Sequence, residues 1–76
     1  MARPVMQSVH STHVDRIGYA ADTGELYVQW QGGKTSVYSG VPSGVAHDVT
    51  NAWSVGQAVR EQIIPNYQHR YDGGGA

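Results

Sequence analysis

Ser54-Val55-Gly56, with Arg60 one helical turn further on, sets a capping hydroxyl, a residue without a side chain and a guanidinium close together. At a helix start the first backbone N–H groups have no internal partners and the dipole presents its positive end, which suits a phosphate or carboxylate. The competing reading is an ordinary serine cap, with Arg60 paired to a carboxylate or in water. Glycine inside a helix costs roughly 1 kcal/mol against alanine, so Gly56 points to close packing or to the approach of a ligand. Tyr27 and Tyr38, with Lys34 and Ser36 beside them, form a second group. Such rings either stack bases, at roughly 1–3 kcal/mol per base, or stabilise a sheet as a cross-strand pair. Tyr67-Gln68-His69-Arg70-Tyr71 is an aromatic–basic segment that either clamps a nucleotide between Tyr67 and Arg70 or seals a sheet edge.

Other chemistries are poorly served. His10 and His13 have His-x-x-His spacing, whereas His47 and His69 stand alone. Zinc needs three or four convergent ligands, and residues in an extended segment alternate between faces, so no metal site is expected. The chain has no cysteine nucleophile. Asp15, Asp22 and Asp72 fall in loop-like or terminal positions, and Asp48 and Glu61 on separate helices. No serine has an identifiable histidine partner. The expectation is a protein that is not an enzyme and uses no cofactor.

A chain of 76 residues, without cysteine to form disulfides, must be held by one compact apolar core, to which a homodimer would add buried surface. Five Lys and Arg against six Asp and Glu give a formal net charge of −1. A general nucleic-acid binder usually shows a basic excess, so such a role here requires a local patch or stacking on rings. No stretch reads as a signal peptide or approaches the roughly 20 apolar residues of a membrane span, so a cytosolic protein without membrane contact is expected.

These residues must be positioned by elements that the pattern also predicts. In Glu25–Pro42, Leu26, Val28 and Trp30 alternate with Tyr27, Gln29 and Gln31, which is strand periodicity. Gly32-Gly33 suits a two-residue hairpin loop, which would set Val28 opposite Val37 and Tyr27 opposite Tyr38. One face would then carry Leu26, Val28, Trp30 and Val37 into the core, and the other would show Tyr27, Ser36 and Tyr38. The Asp22–Gly24 turn leaves open whether Tyr19 joins the core or the tyrosine face. Pro42 suits the first turn of a helix bearing Val45, Val49 and Ala52. Ser54 caps a second helix with Val55, Val59 and Ile63 on one stripe, ended by Pro65. The predicted fold class is α+β: a three- to four-stranded antiparallel β-meander packed on one face by two C-terminal α-helices. One domain spans residues 5–71, and residues 72–76 form a flexible glycine-rich tail.

In order and spacing, these residues resemble the KTSC family, named for a domain at the C-terminus of some lysyl-tRNA synthetases and found also as small free-standing bacterial and phage proteins. The resemblance runs over about residues 9–71. It rests on Ser11-Thr12-x-Val14, Ile17-Gly18-Tyr19, Leu26-x-Val28 with Gly33, Tyr38-Ser39-Gly40-Val41-Pro42, and Ser54-x-Gly56 followed by Ile63 and Tyr67. The chain departs from the family pattern at Ser36, where a tyrosine is usual, at Val55, where a lysine is usual, and in a basic ending reduced to His69-Arg70. The resemblance implies a small binding module whose partner is RNA, single-stranded DNA or a nucleotide. The alternative it implies is a phage-encoded interaction module that inhibits a bacterial host defence, by binding a host protein or by sequestering a nucleotide signal.

Overall fold

In the computed structural model, which describes residues 4–71, the chain forms an antiparallel sheet of five strands in the order β1-β2-β3-β4-β5. The strands are β1 (Gln7–Ser8), β2 (Val14–Ala20), β3 (Glu25–Trp30), β4 (Thr35–Tyr38) and β5 (His69–Tyr71). Between β4 and β5 lie α1 (Ser43–Thr50) and α2 (Val55–Ala58), the latter running directly into a π-helical turn (Val59–Ile63). The tail expected at 72–76 lies outside the described residues.

Local chemistry explains each change of direction. Ala20 O accepts from Gly24 N at 2.8 Å, and Gly24 adopts φ +73, a conformation that glycine takes without steric cost. This turn pairs Tyr19 with Leu26, which puts Tyr19 on the core side. There its hydroxyl donates to Val41 O at 2.6 Å. Pro42, with φ −64 and ψ 149, precedes α1, which buries Ala46 and Val49 at i, i+3 spacing. Ser54 Oγ accepts from Gln57 N at 3.4 Å and caps α2. Ile64 N then reaches back to Val59 O at 2.9 Å, the i−5 bond of a π turn, and Pro65, without an N–H, follows the last turn.

The core lies between one sheet face and the helices. Val14, Ile17, Leu26, Val28 and Tyr38 meet Ala46, Val49, Val55, Ala58, Val59 and Ile63 there. The predicted stripes of both helices thus point inward, with Val45 and Ala52 at the edge of the core.

The central hairpin differs by one residue from the expected register. The loop is Gln31-Gly32-Gly33, three residues long: Trp30 N donates to Lys34 O, and Gly33 N to Trp30 O, each at 2.8 Å. Gly33 has φ +98, as the last residue of a three-residue loop of this kind requires. Leu26 therefore pairs with Tyr38, Tyr27 with Val37 and Val28 with Ser36. A one-residue slip moves every β4 side chain to the other face. Tyr27 and Tyr38 are not a cross-strand pair and share no face. Tyr38 is a core residue at 2 % exposure, and Ser36 is buried beside it. Val37 is buried on the opposite face and is not part of the core cluster. The physical reason is that Thr35-Ser36-Val37-Tyr38 sets one large apolar residue on each face, so burial alone does not select a register. The other change is in strand number. The segment expected either to clamp a ligand or to seal an edge supplies β5, where Ser36, Val37 and Tyr38 pair with Tyr71, Arg70 and His69.

Candidate functional site: a polar cleft beside the second helix

Gly56 lies under the loop that precedes β2. A Cβ built on Gly56 would stand 2.6 Å from Ser11 Oγ, well inside contact distance. That hydroxyl is held in turn by His13 N and Val14 N, each donating to it at 3.2 Å. The loop is tied to the sheet as well, with Gln31 N donating to His13 O at 2.8 Å and Gln31 Nε2 to Ser11 O at 3.2 Å. Close packing of Ser11 is therefore what glycine serves at position 56. The contact brings the loop and the helix together without closing the space beside them.

That space is a cleft of about 280 Å³ between Ser11, Thr12 and His13 on one side and Ser54, Gly56, Gln57, Arg60 and Glu61 on the other. Its walls carry three hydroxyls, an imidazole, an amide, a carboxylate and a guanidinium. Gln57 Nε2 donates to Glu61 Oε2 at 3.0 Å, which engages one oxygen of that carboxylate. Among the described residues no carboxylate lies within ion-pair distance of Arg60. Arg60 therefore faces an open polar space with donors to spare.

The sheet side looks different from what its sequence suggests. Trp30 Nε1 donates to the buried Ser36 Oγ at 2.8 Å, so the indole leans over the position where the family pattern has a ring. Beyond Ser36 the rings of β5 follow. His69 lies 5.3 Å from Tyr38 and 5.5 Å from Tyr71 between ring centroids, and Lys34 Nζ is 5.5 Å from the Tyr71 centroid. Burial raises the pKa of the Tyr38 hydroxyl, an effect partly offset by a hydrogen bond with Ser36. On the other face, Gly18, Tyr27, Val37 and Arg70 lie in one row across the sheet. Met6 Sδ would come within 2.7 Å of a Cβ on Gly18, so the N-terminal segment covers part of this face. Arg70 Nη1 meets Glu25 Oε2 at 2.7 Å, and this hydrogen bond is the main reason the Glu25 carboxyl is held below its ordinary value.

The sequence candidates thus separate into groups. Ser54, Gly56 and Arg60 converge on the cleft. Lys34, Ser36, Tyr38 and His69 share the helix side of the sheet at the β4–β5 edge, with Tyr38 and Ser36 buried as its floor. Tyr27 and Arg70 are on the opposite face. Tyr67 packs against the core. Sequence reasoning did not assign Ser11, Thr12, His13 and Gln57 to the cleft, nor Trp30 and Tyr71 to the row of rings. Gly56 was the one residue that signalled a close approach, without naming its partner. His10 and His13 are both exposed, and among the described residues no three His, Cys, Asp or Glu side chains gather as metal ligands. Trp53, in the loop between the helices, is fully exposed at 102 %.

A five-stranded antiparallel meander, closed on one face by α1 and by α2 with its π turn, defines a small α+β domain with a cleft where the β2 loop meets the helix. The family model for the KTSC domain matches residues 10–67, and the chain belongs to that family. Its structure is similar to the crystal structure of a KTSC domain protein from Yersinia pestis, with a TM-score of 0.85 and 29% identity over 93% of this chain and 100% of that one. Among curated proteins none matches the chain.

Proposed function

We propose that the protein is a non-catalytic binding module of the cytosol that takes a phosphate-bearing ligand, a nucleotide or nucleic acid, in the cleft between the Ser11–His13 loop and α2. The observation that carries this reading is Arg60, a permanent cation in a polar cleft, without a carboxylate partner among the described residues and faced by the hydroxyls of Ser11, Thr12 and Ser54. A guanidinium with unused donors matches phosphate oxygens in both charge and geometry. The hydroxyls supply further donors, and the one carboxylate of the lining, Glu61, accepts a hydrogen bond from Gln57. The test is titration of the protein with nucleoside monophosphates at low salt, followed by calorimetry. Binding that is lost in Arg60→Ala while the urea midpoint stays unchanged supports the reading. No binding by the native protein, or equal binding by the variant, overturns it.

Trp53 favours a second reading, that of a protein-interaction module, including one that inhibits a host defence. A fully exposed indole forgoes the burial that usually stabilises tryptophan, and such residues are enriched at interface hot spots. Capture of a stoichiometric protein partner from the host, lost in Trp53→Ala, would establish that reading over the first.

A further inference from the structure

The cleft, the Trp30 indole and the Lys34–Tyr71 pair all lie at one end of the sheet. The Ser11–His13 loop is bonded to Gln31 there, Trp30 pairs with Val14 on β2 and is bonded to Lys34 just before β4, and Ser36 on β4 pairs with Tyr71 on β5. Crossing from β2 to β5 covers three strand spacings, roughly 14 Å. Along that line the chain presents the Arg60 cleft, the half-buried Trp30 ring, the Lys34 ammonium and the exposed Tyr71 ring, all on the helix side of the sheet. Lys34, like Arg60, has no carboxylate within ion-pair distance among the described residues.

We propose that this row is a track for a short single strand of nucleic acid, with one phosphate held at Arg60, a second at Lys34 and a base stacked on Tyr71. The proposal rests on the reading of the cleft as a phosphate site and extends it. A mononucleotide in the cleft leaves Lys34 and Tyr71 unused, whereas a strand crossing the end of the sheet meets cations and rings in the alternation that single-strand binders use. Unpaired bases offer the π faces that Tyr71, 61 % exposed, can stack on, and a duplex hides them. The low total charge fits a track of two phosphate contacts and not a broad basic surface.

The experiment compares thymidine monophosphate with short thymidine and uridine oligonucleotides by calorimetry and by tryptophan fluorescence, in the native protein and in Tyr71→Ala, Tyr71→Phe, Lys34→Ala and Arg60→Ala. Oligonucleotides should bind more tightly than the mononucleotide. Their binding should weaken about 5- to 150-fold in Tyr71→Ala, the range for one stacking ring, and stay near native in Tyr71→Phe. Two phosphate contacts give a slope of log affinity against log salt of about −1.4, falling to about −0.7 in Lys34→Ala or Arg60→Ala. The Trp53→Phe background leaves Trp30 as the reporter, and its emission should change with the oligonucleotide. Equal affinity for thymidine and uridine oligonucleotides supports a track that takes either strand, and a preference supports a track for the preferred one. If the mononucleotide binds through Arg60 but oligonucleotides bind no more tightly and ignore Tyr71 and Lys34, the track is overturned and the cleft reading stands. If no nucleotide or oligonucleotide binds, both fall.

Discussion

Gly56→Ala sets two effects of known sign against each other. Alanine in place of glycine stabilises a helix by up to about 1 kcal/mol. The new methyl would stand 2.6 Å from Ser11 Oγ, so the hydroxyl must turn away or the loop must move. Ser11 Cβ lies 3.9 Å from the added carbon, so rotation of the side chain relieves the contact without shifting the backbone. Rotation costs the two bonds that the hydroxyl accepts from His13 N and Val14 N, both at 3.2 Å. At that length each is worth the lower part of the usual range, so the pair contributes about 1–2 kcal/mol. Gly56→Ala alone should therefore destabilise the protein by only about 0–1 kcal/mol. The informative quantity is the coupling to Ser11. In a Ser11→Ala background the hydroxyl is gone, and the same glycine substitution should stabilise by up to about 1 kcal/mol. Urea unfolding of the four proteins closes a double-mutant cycle with a coupling of about 1–2 kcal/mol. Additive effects, or a Gly56→Ala protein as much stabilised as helix propensity predicts, would refute the claim that Ser11 is what requires glycine here. Nucleotide titration of the same four proteins reports whether the loop position also sets the cleft.

Two further outcomes follow from contacts on either face of the sheet. Ser36→Ala removes the acceptor of Trp30 Nε1 in a part-buried site, and should cost about 1–3 kcal/mol in urea unfolding with a shift in Trp30 emission; an unchanged midpoint and spectrum would show that the indole finds another partner. Glu25→Gln tests the Arg70 pair through its pH dependence. The folded carboxyl is held below its ordinary value of 4.5, chiefly by the Arg70 hydrogen bond, so its contribution is present above that pH and lost as pH falls through the lowered value. Because Arg70 is 56 % exposed, the difference between native and variant at neutral pH should be at most about 1 kcal/mol. It should vanish in acid, and thermal melts at both pH values would expose a difference that persists there and so does not come from the ion pair.

What the sequence made legible follows from where its residues had only one physical use. Leu26 and Val28 alternate with polar neighbours, and Val45, Val49 and Ala52, then Val55, Val59 and Ile63, repeat at helical spacing, so the sheet face and the helix stripes could be read directly, although Ala46 and not Val45 is the residue buried beside Val49. The β4 register could not, because Gly32-Gly33 serves a two-residue or a three-residue loop, and Thr35-Ser36-Val37-Tyr38 offers an apolar residue to either face. That single ambiguity governs the whole reading of the site. With Tyr38 outside, the rings form a platform on the open face, and Ser36 is a gap in it. With Tyr38 inside, Ser36 receives the Trp30 N–H, the open face is partly covered by Met6 and crossed by the Arg70–Glu25 pair, and the accessible rings are those of β5 on the helix side. The cleft was half legible for a related reason. Ser54, Gly56 and Arg60 are close in sequence, and the glycine had no local purpose, which implied a neighbour. That neighbour, Ser11, is brought in only by the long-range pairing of the β2 loop with Gln31, a contact that local spacing does not encode. The departures at Ser36 and in the basic ending therefore do not simply subtract from the family pattern. Trp30 and Tyr71 lie beside Ser36, and Lys34, Tyr71 and Arg60 are the residues by which the proposed ligand can be tested.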